Sequence, residues 1–195
     1  MQAIVLISRA MEFAAHKHTD QKRKGARAEP YVNHLVEVAR LLADATAGED
    51  PALIAAGLLH DTLEDTSTTF EELEREFGVE IAGLVREVTD NKKLEKAERK
   101  RLQIETAGKK SPRARLIKIA DKTSNLRSIL ASPPTDWPVQ RKREYFKWAA
   151  EVVEQCRGIN AQLEEWFDRA YADGIAIFTI DAQRERAVAD PELAG

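Results

Sequence analysis

Cysteine is almost missing from this chain: Cys156 is the only one in 195 residues. That excludes an internal disulfide, denies ligands to a thiolate zinc or iron–sulfur centre, and suits a reducing, cytoplasmic setting. Cys156 falls on the apolar face of a predicted helix, where a packed, inert thiol is expected and not a nucleophile. Missing too is an excess of either charge. With 30 Lys and Arg against 33 Asp and Glu, the formal net charge is −3. Such a balance exerts no global pull on nucleic acid or an anionic membrane, so any anionic ligand must be held by a local basic cluster. No apolar stretch reaches the length of a bilayer span, and Met1 to Ile7 lack the basic leader of a signal peptide. Internal repeats and low-complexity segments are absent as well. What is present is a chain 43% hydrophobic and 32% charged, enough for one substantial core in a single compact domain.

Helical periodicity recurs almost throughout. Ile4, Ile7, Met11, Ala14 and Ala15 form a first stripe, continued by His18 and broken at Gln21 to Gly25. A second helix follows Tyr31, with Leu35, Val38, Leu41 and Leu42 inward and His34 in its first turn. Asp50 as N-cap and Pro51 at the first helical position start a third, whose run from Ala52 to Leu59 leads into His60-Asp61. Thr69 to Glu72 reads as a capping box for a helix that stops at Gly78. The next is built on Val79, Ala82, Leu84, Val85 and Val88 and gives way to a Lys/Arg-rich stretch from Lys92 to Arg101. Ser111-Pro112 opens a long helix that carries Asp121 and ends before Pro133-Pro134. Two last stripes are Tyr145, Trp148, Ala149, Val152 and Cys156, then Ile159, Leu163, Trp166, Phe167 and Ala170, with the aromatics read as core anchors. Ile175 to Ile180 has strand-like composition. The expectation is a single all-α helical bundle with a short β element near the C-terminus.

His60-Asp61 ends a run that is apolar on every side, and an unpaired carboxylate in a protein interior needs a cation, a partner or a proton. Asp121 likewise follows an apolar run. With His34 they make a set of imidazole and carboxylate donors suited to one divalent first-row transition metal, among which the residues do not choose. The alternative for each is a satisfied buried polar group or an ion pair, with Lys118 or Arg127 at helical spacing from Asp121. Glu64 and Asp65 lie four residues after His60 and Asp61. If the helix continues, both carboxylates stand one turn along the same face, within reach of a water whose pKa the metal lowers towards roughly 7; otherwise they begin a solvated loop. Asn125 stands one turn beyond Asp121. Arg23 and Lys24, the group Lys92, Lys93, Lys96, Arg99, Lys100 and Arg101, and Lys109, Lys110, Arg113 and Arg115 offer cations for phosphate, or else form solvated faces. Tyr31 reads as a base-stacking wall or a hydrophobic staple.

His34, His60-Asp61 and Asp121 match the H…HD…D signature of the HD superfamily of metal-dependent phosphohydrolases. Arg23-Lys24-Gly25, Tyr31 to His34, Leu59 to Thr66, Phe77-Gly78 and Lys118 to Leu126 resemble the hydrolase domain of RelA/SpoT-type proteins. The likeness is strongest to the stand-alone small alarmone hydrolases of the metazoan SpoT homologue type, and runs from about the first helix to about Leu163. It implies an HD-domain bundle over residues 1–174, with residues 175–195 an extension of unknown role. It also implies removal of the 3′-pyrophosphate of guanosine tetra- or pentaphosphate (ppGpp or pppGpp) to give GDP or GTP, with manganese as the usual ion. His34, His60, Asp61 and Asp121 would hold the metal, and Glu64 and Asp65 would position or deprotonate the attacking water. Asn125 would contact the nucleotide near the ribose, Arg23 and Lys24 would border the guanine, and Tyr31 would line the pocket. Lys96, Arg141 and Tyr145 would serve as phosphate or pocket contacts. Alternatives are a phosphatase acting on another nucleotide, such as the 2′-phosphate of NADPH, and an alarmone-binding regulator without catalysis. The implied partner is a small-molecule nucleotide, neither nucleic acid nor membrane, and the oligomeric state is left open. Between Gly25 and Tyr31 the chain is longer and more charged than in the multidomain bacterial relatives, a departure at the base-binding edge.

Overall fold

The computed structural model describes residues 2–189, and its regular structure is helical, apart from one antiparallel bridge between Lys22 and Pro30. The helices are α1 (Ala3–Lys17), α2 (Val32–Ala45), α3 (Pro51–Leu59), α4 (Thr62–Asp65), α5 (Phe70–Val88), α6 (Lys96–Ala107), α7 (Pro112–Ala131), α8 (Val139–Glu154) and α9 (Ala161–Ala189). None among the described residues is long and apolar enough to cross a membrane.

Helix α3 is the hub. The Asp50 carboxylate accepts the Leu53 N–H at 3.0 Å, Pro51 fills the first turn, and every residue from Leu53 to Leu59 is buried. Helices α1, α2 and α5 pack around it. Each fully buried Leu or Ile of this run contributes roughly 1.5–3 kcal/mol of hydrophobic stabilisation before chain entropy is set against it. The second axis is α7, capped by Ser111 Oγ, which accepts the Ala114 N–H at 3.2 Å, and packed against α2, α5, α8 and α9. The two helices that deliver the aspartates are therefore both central. Helix α5 is bent at Gly78 (φ 85°), which separates Phe70–Phe77 from Val79–Val88, close to where the glycine predicts a stop. Thr69 Oγ caps it by accepting the Glu72 N–H, but the Glu72 carboxylate accepts from Lys17 at 2.9 Å, so only half of the expected capping box forms.

Three expectations are corrected. Of the expected first stripe Ala14 and His18 are buried, but Ile4 and Met11 are 72% and 40% exposed, and Ala10, outside the stripe, is buried, because small residues let α1 lie close against α3. Val79 is 67% exposed. The segment from Ile175 to Ile180 is helix, not strand. Phe167, Ala170, Gly174 and Phe178 fall on one helical stripe and are all buried, and Phe178 meets the Phe146 ring edge-on at 5.0 Å, while Ile177 and Ile180 face outward.

Candidate metal centre

Three separate helical regions bring four side chains together. His34 comes from the first turn of α2, His60 and Asp61 from the joint between α3 and α4, and Asp121 from the middle of α7. His34 Nε2 lies 3.6 Å from Asp61 Oδ2 and 3.4 Å from Asp121 Oδ1. His60 Nε2 lies 3.0 Å and 3.8 Å from the same two atoms. One donor atom each from His34, His60 and Asp121 falls within 4.8 Å of the others. Both imidazoles are buried and neither Nε2 has a hydrogen-bond partner, the 3.0 Å approach to Asp61 being misaligned for one. Buried nitrogens left so are rare and costly.

The opposite face of each ring is satisfied. His60 Nδ1 lies 2.8 Å from the Gly57 carbonyl oxygen, which can only accept, so Nδ1 carries a proton and Nε2 faces the carboxylates. His34 Nδ1 is 2.8 Å from Ser124 Oγ. Burial by itself would raise the carboxyl pKa values, but the facing imidazoles hold Asp61 well below the usual range, and Lys122 with the imidazoles does the same for Asp121. Burial opposes protonation of His60, yet the Asp61 and Asp121 charges outweigh it and push that group up to about 10. A field this negative around two imidazole Nε2 atoms fits a divalent cation, which would take the place of a proton on His60.

The surroundings fix the acids further. Tyr31 donates its hydroxyl to Asp61 Oδ2 at 2.6 Å while its ring stacks on His18. Lys122 Nζ donates to Asp121 Oδ2 at 2.9 Å, and Asn125 Nδ2 to Asp121 Oδ1 at 2.5 Å. Asn125 Oδ1 in turn accepts from Arg23 at 3.0 Å. Neither cation foreseen for Asp121 takes it: Lys118 pairs with Asp90 at 3.6 Å and Arg127 with Glu37 at 3.4 Å. Helix α4 continues past the His-Asp pair, with the Asp65 N–H donating to the Asp61 carbonyl at 2.8 Å, so Glu64 and Asp65 do not begin a loop. Glu64 Oε2 accepts the Asp90 N–H at 3.1 Å, and burial, assisted by the Asp90, Asp61 and Asp65 charges, raises its pKa. Asp65 is held by Gln21 Nε2 at 3.1 Å and by Lys92.

Three adjoining cavities meet here. The central one, about 290 Å³, is lined by His60, Asp61, Glu64, Asp65, Asp121 and Asn125. A larger one of about 560 Å³ has Lys96, Arg99, Lys100 and Arg141 among walls of Trp137 and Trp148. The third, about 250 Å³, runs along Arg23, Gly25, Tyr31 and Asn125 to Ser132. Lys24 and Tyr145 line all three. Thus Lys96 and Arg141 line one neighbouring cavity and Arg23 another. The loop from Arg23 to Pro30 is bolted to the end of α7: Arg27 N–H donates to Ser132 Oγ at 2.9 Å and Ala26 N–H to the Pro133 carbonyl at 3.2 Å. A Cβ on Gly25 would overlap the Ser132 carbonyl oxygen.

Sequence reasoning missed Lys122, which follows Asp121 directly and reaches back to it across the Trp148 ring, 4.6 Å from the centroid. It also took Trp148 for a core anchor. Half-buried, it is a cavity wall whose indole N–H donates to the Lys100 carbonyl at 3.1 Å and whose ring lies 4.8 Å from the Lys100 ammonium. Its spacing of three residues from Tyr145 and the density of nearby lysines were the available signals.

The HD domain family matches residues 10–147. The guanosine-3′,5′-bis(diphosphate) 3′-pyrophosphohydrolase MESH1 of Drosophila melanogaster is 49% identical over 161 residues, covering 83% of this chain and 90% of that protein. The Homo sapiens enzyme of the same name is 50% identical over 156 residues, covering 80% and 87%. A solved structure described as a metazoan orthologue of SpoT that hydrolyses ppGpp superimposes with a TM-score of 0.83 at 47% identity, covering 86% of this chain and 94% of that one. The chain therefore belongs to the HD-domain family and, within it, to the MESH1-type guanosine-3′,5′-bis(diphosphate) 3′-pyrophosphohydrolases.

Proposed function

We propose that this protein hydrolyses the 3′-pyrophosphate of guanosine 3′,5′-bis(diphosphate), releasing GDP and pyrophosphate, and converts the pentaphosphate to GTP in the same way. One observation carries the reading. Two buried imidazole nitrogens without hydrogen-bond partners face two carboxylates beside a cavity that adjoins two cation-lined cavities. A nucleotide phosphorylated on two arms needs that layout: a cation at the scissile arm, and separate places for the other phosphates and for the base.

His34, His60, Asp61 and Asp121 are the ligands in this reading, and manganese is the ion proposed. Bound there, a divalent cation supplies charge against the phosphoryl oxygens and acidity to a water molecule. Glu64 and Asp65, beside it in the same cavity, orient the attacking water and take its proton on a carboxylate oxygen. The raised proton affinity of Glu64 suits a base working near neutral pH. Asn125 contacts the ribose, Arg23 and Lys24 border the guanine, and Tyr31 closes that side while bonding Asp61. Lys96, Arg141 and Tyr145 take the 5′-phosphates, with Arg141 stacked 4.3 Å from the Trp137 ring centroid. The chemistry belongs to residues 1–174, with residues 175–195 an extension of unknown role, and a cytoplasmic setting keeps the nucleotide at hand. The test is product analysis after incubation with the tetraphosphate and Mn2+. GDP and pyrophosphate are expected. Binding without release of pyrophosphate, or faster cleavage of NADPH in a parallel assay, would overturn the assignment.

A further inference from the structure

The two imidazoles of the candidate metal centre are oriented by different means. His60 leans on a backbone carbonyl, which no side-chain substitution removes. His34 leans on Ser124 Oγ at 2.8 Å, and that same oxygen lies 2.7 Å from Glu37 Oε2. Serine has one hydroxyl proton, and a carboxylate only accepts. The Ser124 proton must therefore point at Glu37, leaving a Ser124 lone pair to accept from His34 Nδ1–H. The chain Glu37–Ser124–His34 thereby assigns the proton to Nδ1 and aims the Nε2 lone pair at Asp61 and Asp121.

Burial makes the relay strict. Ser124 is fully buried and His34 is 3% exposed, so the hydroxyl is the side-chain partner that Nδ1 has in the structure. Its outer end is anchored in turn: Arg127 NH1 stands 3.4 Å from Glu37 Oε1, and a separate cavity of about 200 Å³, on which His34, Glu37, Ser124 and Arg127 all border, opens behind the ring. The spacing is helical on both sides. Glu37 follows His34 by three residues on α2, and Arg127 follows Ser124 by three on α7, so the pairs share one seam between the two helices.

We propose that Glu37, acting through Ser124, is a positioning residue that sets the donor strength of His34 and hence how tightly this protein retains its divalent cation. The inference rests on the reading of His34 as a ligand. A carboxylate that pulls on the far end of a hydrogen-bonded chain makes the imidazole nitrogen at the near end more electron-rich, and removal of such outer partners lowers metal affinity by about 10–100-fold. Glu37 is partly exposed and lines none of the three cavities around the centre, so its hydrogen-bonded route to His34 is through Ser124.

The experiment is direct Mn2+ titration of chelator-stripped protein, read by the electron paramagnetic resonance of the free ion, on Glu37→Gln, Ser124→Ala, the double variant and His34→Ala. Ser124→Ala is expected to weaken Mn2+ by about 10–100-fold. Glu37→Gln keeps the size and an acceptor oxygen, and should weaken it by several-fold. The double variant should be no weaker than Ser124→Ala, since Glu37 has no path except through the hydroxyl. The Mn2+ concentration that half-saturates turnover should rise in step with the dissociation constant, which a general loss of stability would not produce. Loss of Mn2+ in His34→Ala with native affinity in both Glu37→Gln and Ser124→Ala would overturn the relay alone. Native affinity in His34→Ala would overturn the ligand reading beneath it. Additive losses in the double variant would likewise refute action through Ser124.

Discussion

Lys122→Met tests whether the buried ammonium is the structural counterion of Asp121. Lys122 is 4% exposed, its Nζ lies 2.9 Å from Asp121 Oδ2, and Asp121 holds it protonated against a burial that favours the neutral amine. At an effective dielectric of about 20, two charges at that separation attract by roughly 6 kcal/mol. Desolvation cancels part of this, and losing one partner of a buried pair leaves a net loss of about 3–5 kcal/mol. Methionine keeps much of the stem that lies against Trp148, so the charge is the main thing removed. For a chain of this size, about 2–4 °C per kcal/mol converts the loss to a fall in Tm of roughly 6–20 °C. The assay is thermal unfolding followed by helical circular dichroism, in chelator and then in excess Mn2+. In chelator the full drop is expected. With Mn2+ the gap between variant and native protein should narrow, because the cation replaces the missing ammonium and binding at a hundred times the dissociation constant adds about 2.7 kcal/mol to any folded state that takes it. A fall of less than about 2 °C in chelator, or a gap that widens with Mn2+, refutes the reasoning.

Asp61→Ala and Asp121→Ala should each abolish Mn2+ loading, whereas Glu64→Gln should retain the ion and lose about 10²–10⁴-fold in turnover, as metal analysis beside rate measurement will tell. Because burial raises the Glu64 pKa and the base must be ionised, turnover should fall as pH drops through a value above the ordinary glutamate range, and Glu64→Gln should remove that limb from what rate remains. An acid limb at the ordinary value would contradict this. Gly25→Ala should push the base-side loop off Ser132 at a strain of about 1–3 kcal/mol, seen as a KM at least tenfold higher with a fall in Tm of roughly 2–12 °C; an unaltered KM counts against a role for that loop. Cys156 is fully buried and burial raises its thiol pKa, so it should resist a thiol reagent until the protein unfolds. Prompt labelling of the native protein would show the packing to be wrong.

The centre was legible in the sequence for a physical reason. A carboxylate at the end of an all-round apolar run has few explanations, and two such runs with a first-turn histidine have fewer. Asp50-Pro51 and Ser111-Pro112 announced the starts of α3 and α7 through local capping chemistry, which needs no knowledge of the rest of the chain. What stayed hidden depends on partners distant in sequence. Nothing near Ser124 in the chain reveals that Glu37, 87 positions away, receives its proton. The α1 stripe misled in part because Ile4 and Met11 share the periodicity of the buried Ala14 and His18, while contact with α3 favours small side chains such as Ala10 and Ala14. Ile175 to Ile180 misled because a short run rich in isoleucine looks alike in strand and helix, and only the meeting of Phe178 with Phe146 decides between them.

The loop bolted to the end of α7 makes that helix a ruler. Asp121 and Ala131 are ten residues apart on one rod, about 15 Å at 1.5 Å per residue, so the proposed cation-binding end and the proposed base-binding edge are held at a set interval. A ligand whose scissile phosphate and base do not span that interval can engage one end only. On that proposal, selection by length would be built into the scaffold, ahead of any hydrogen bond to the base itself.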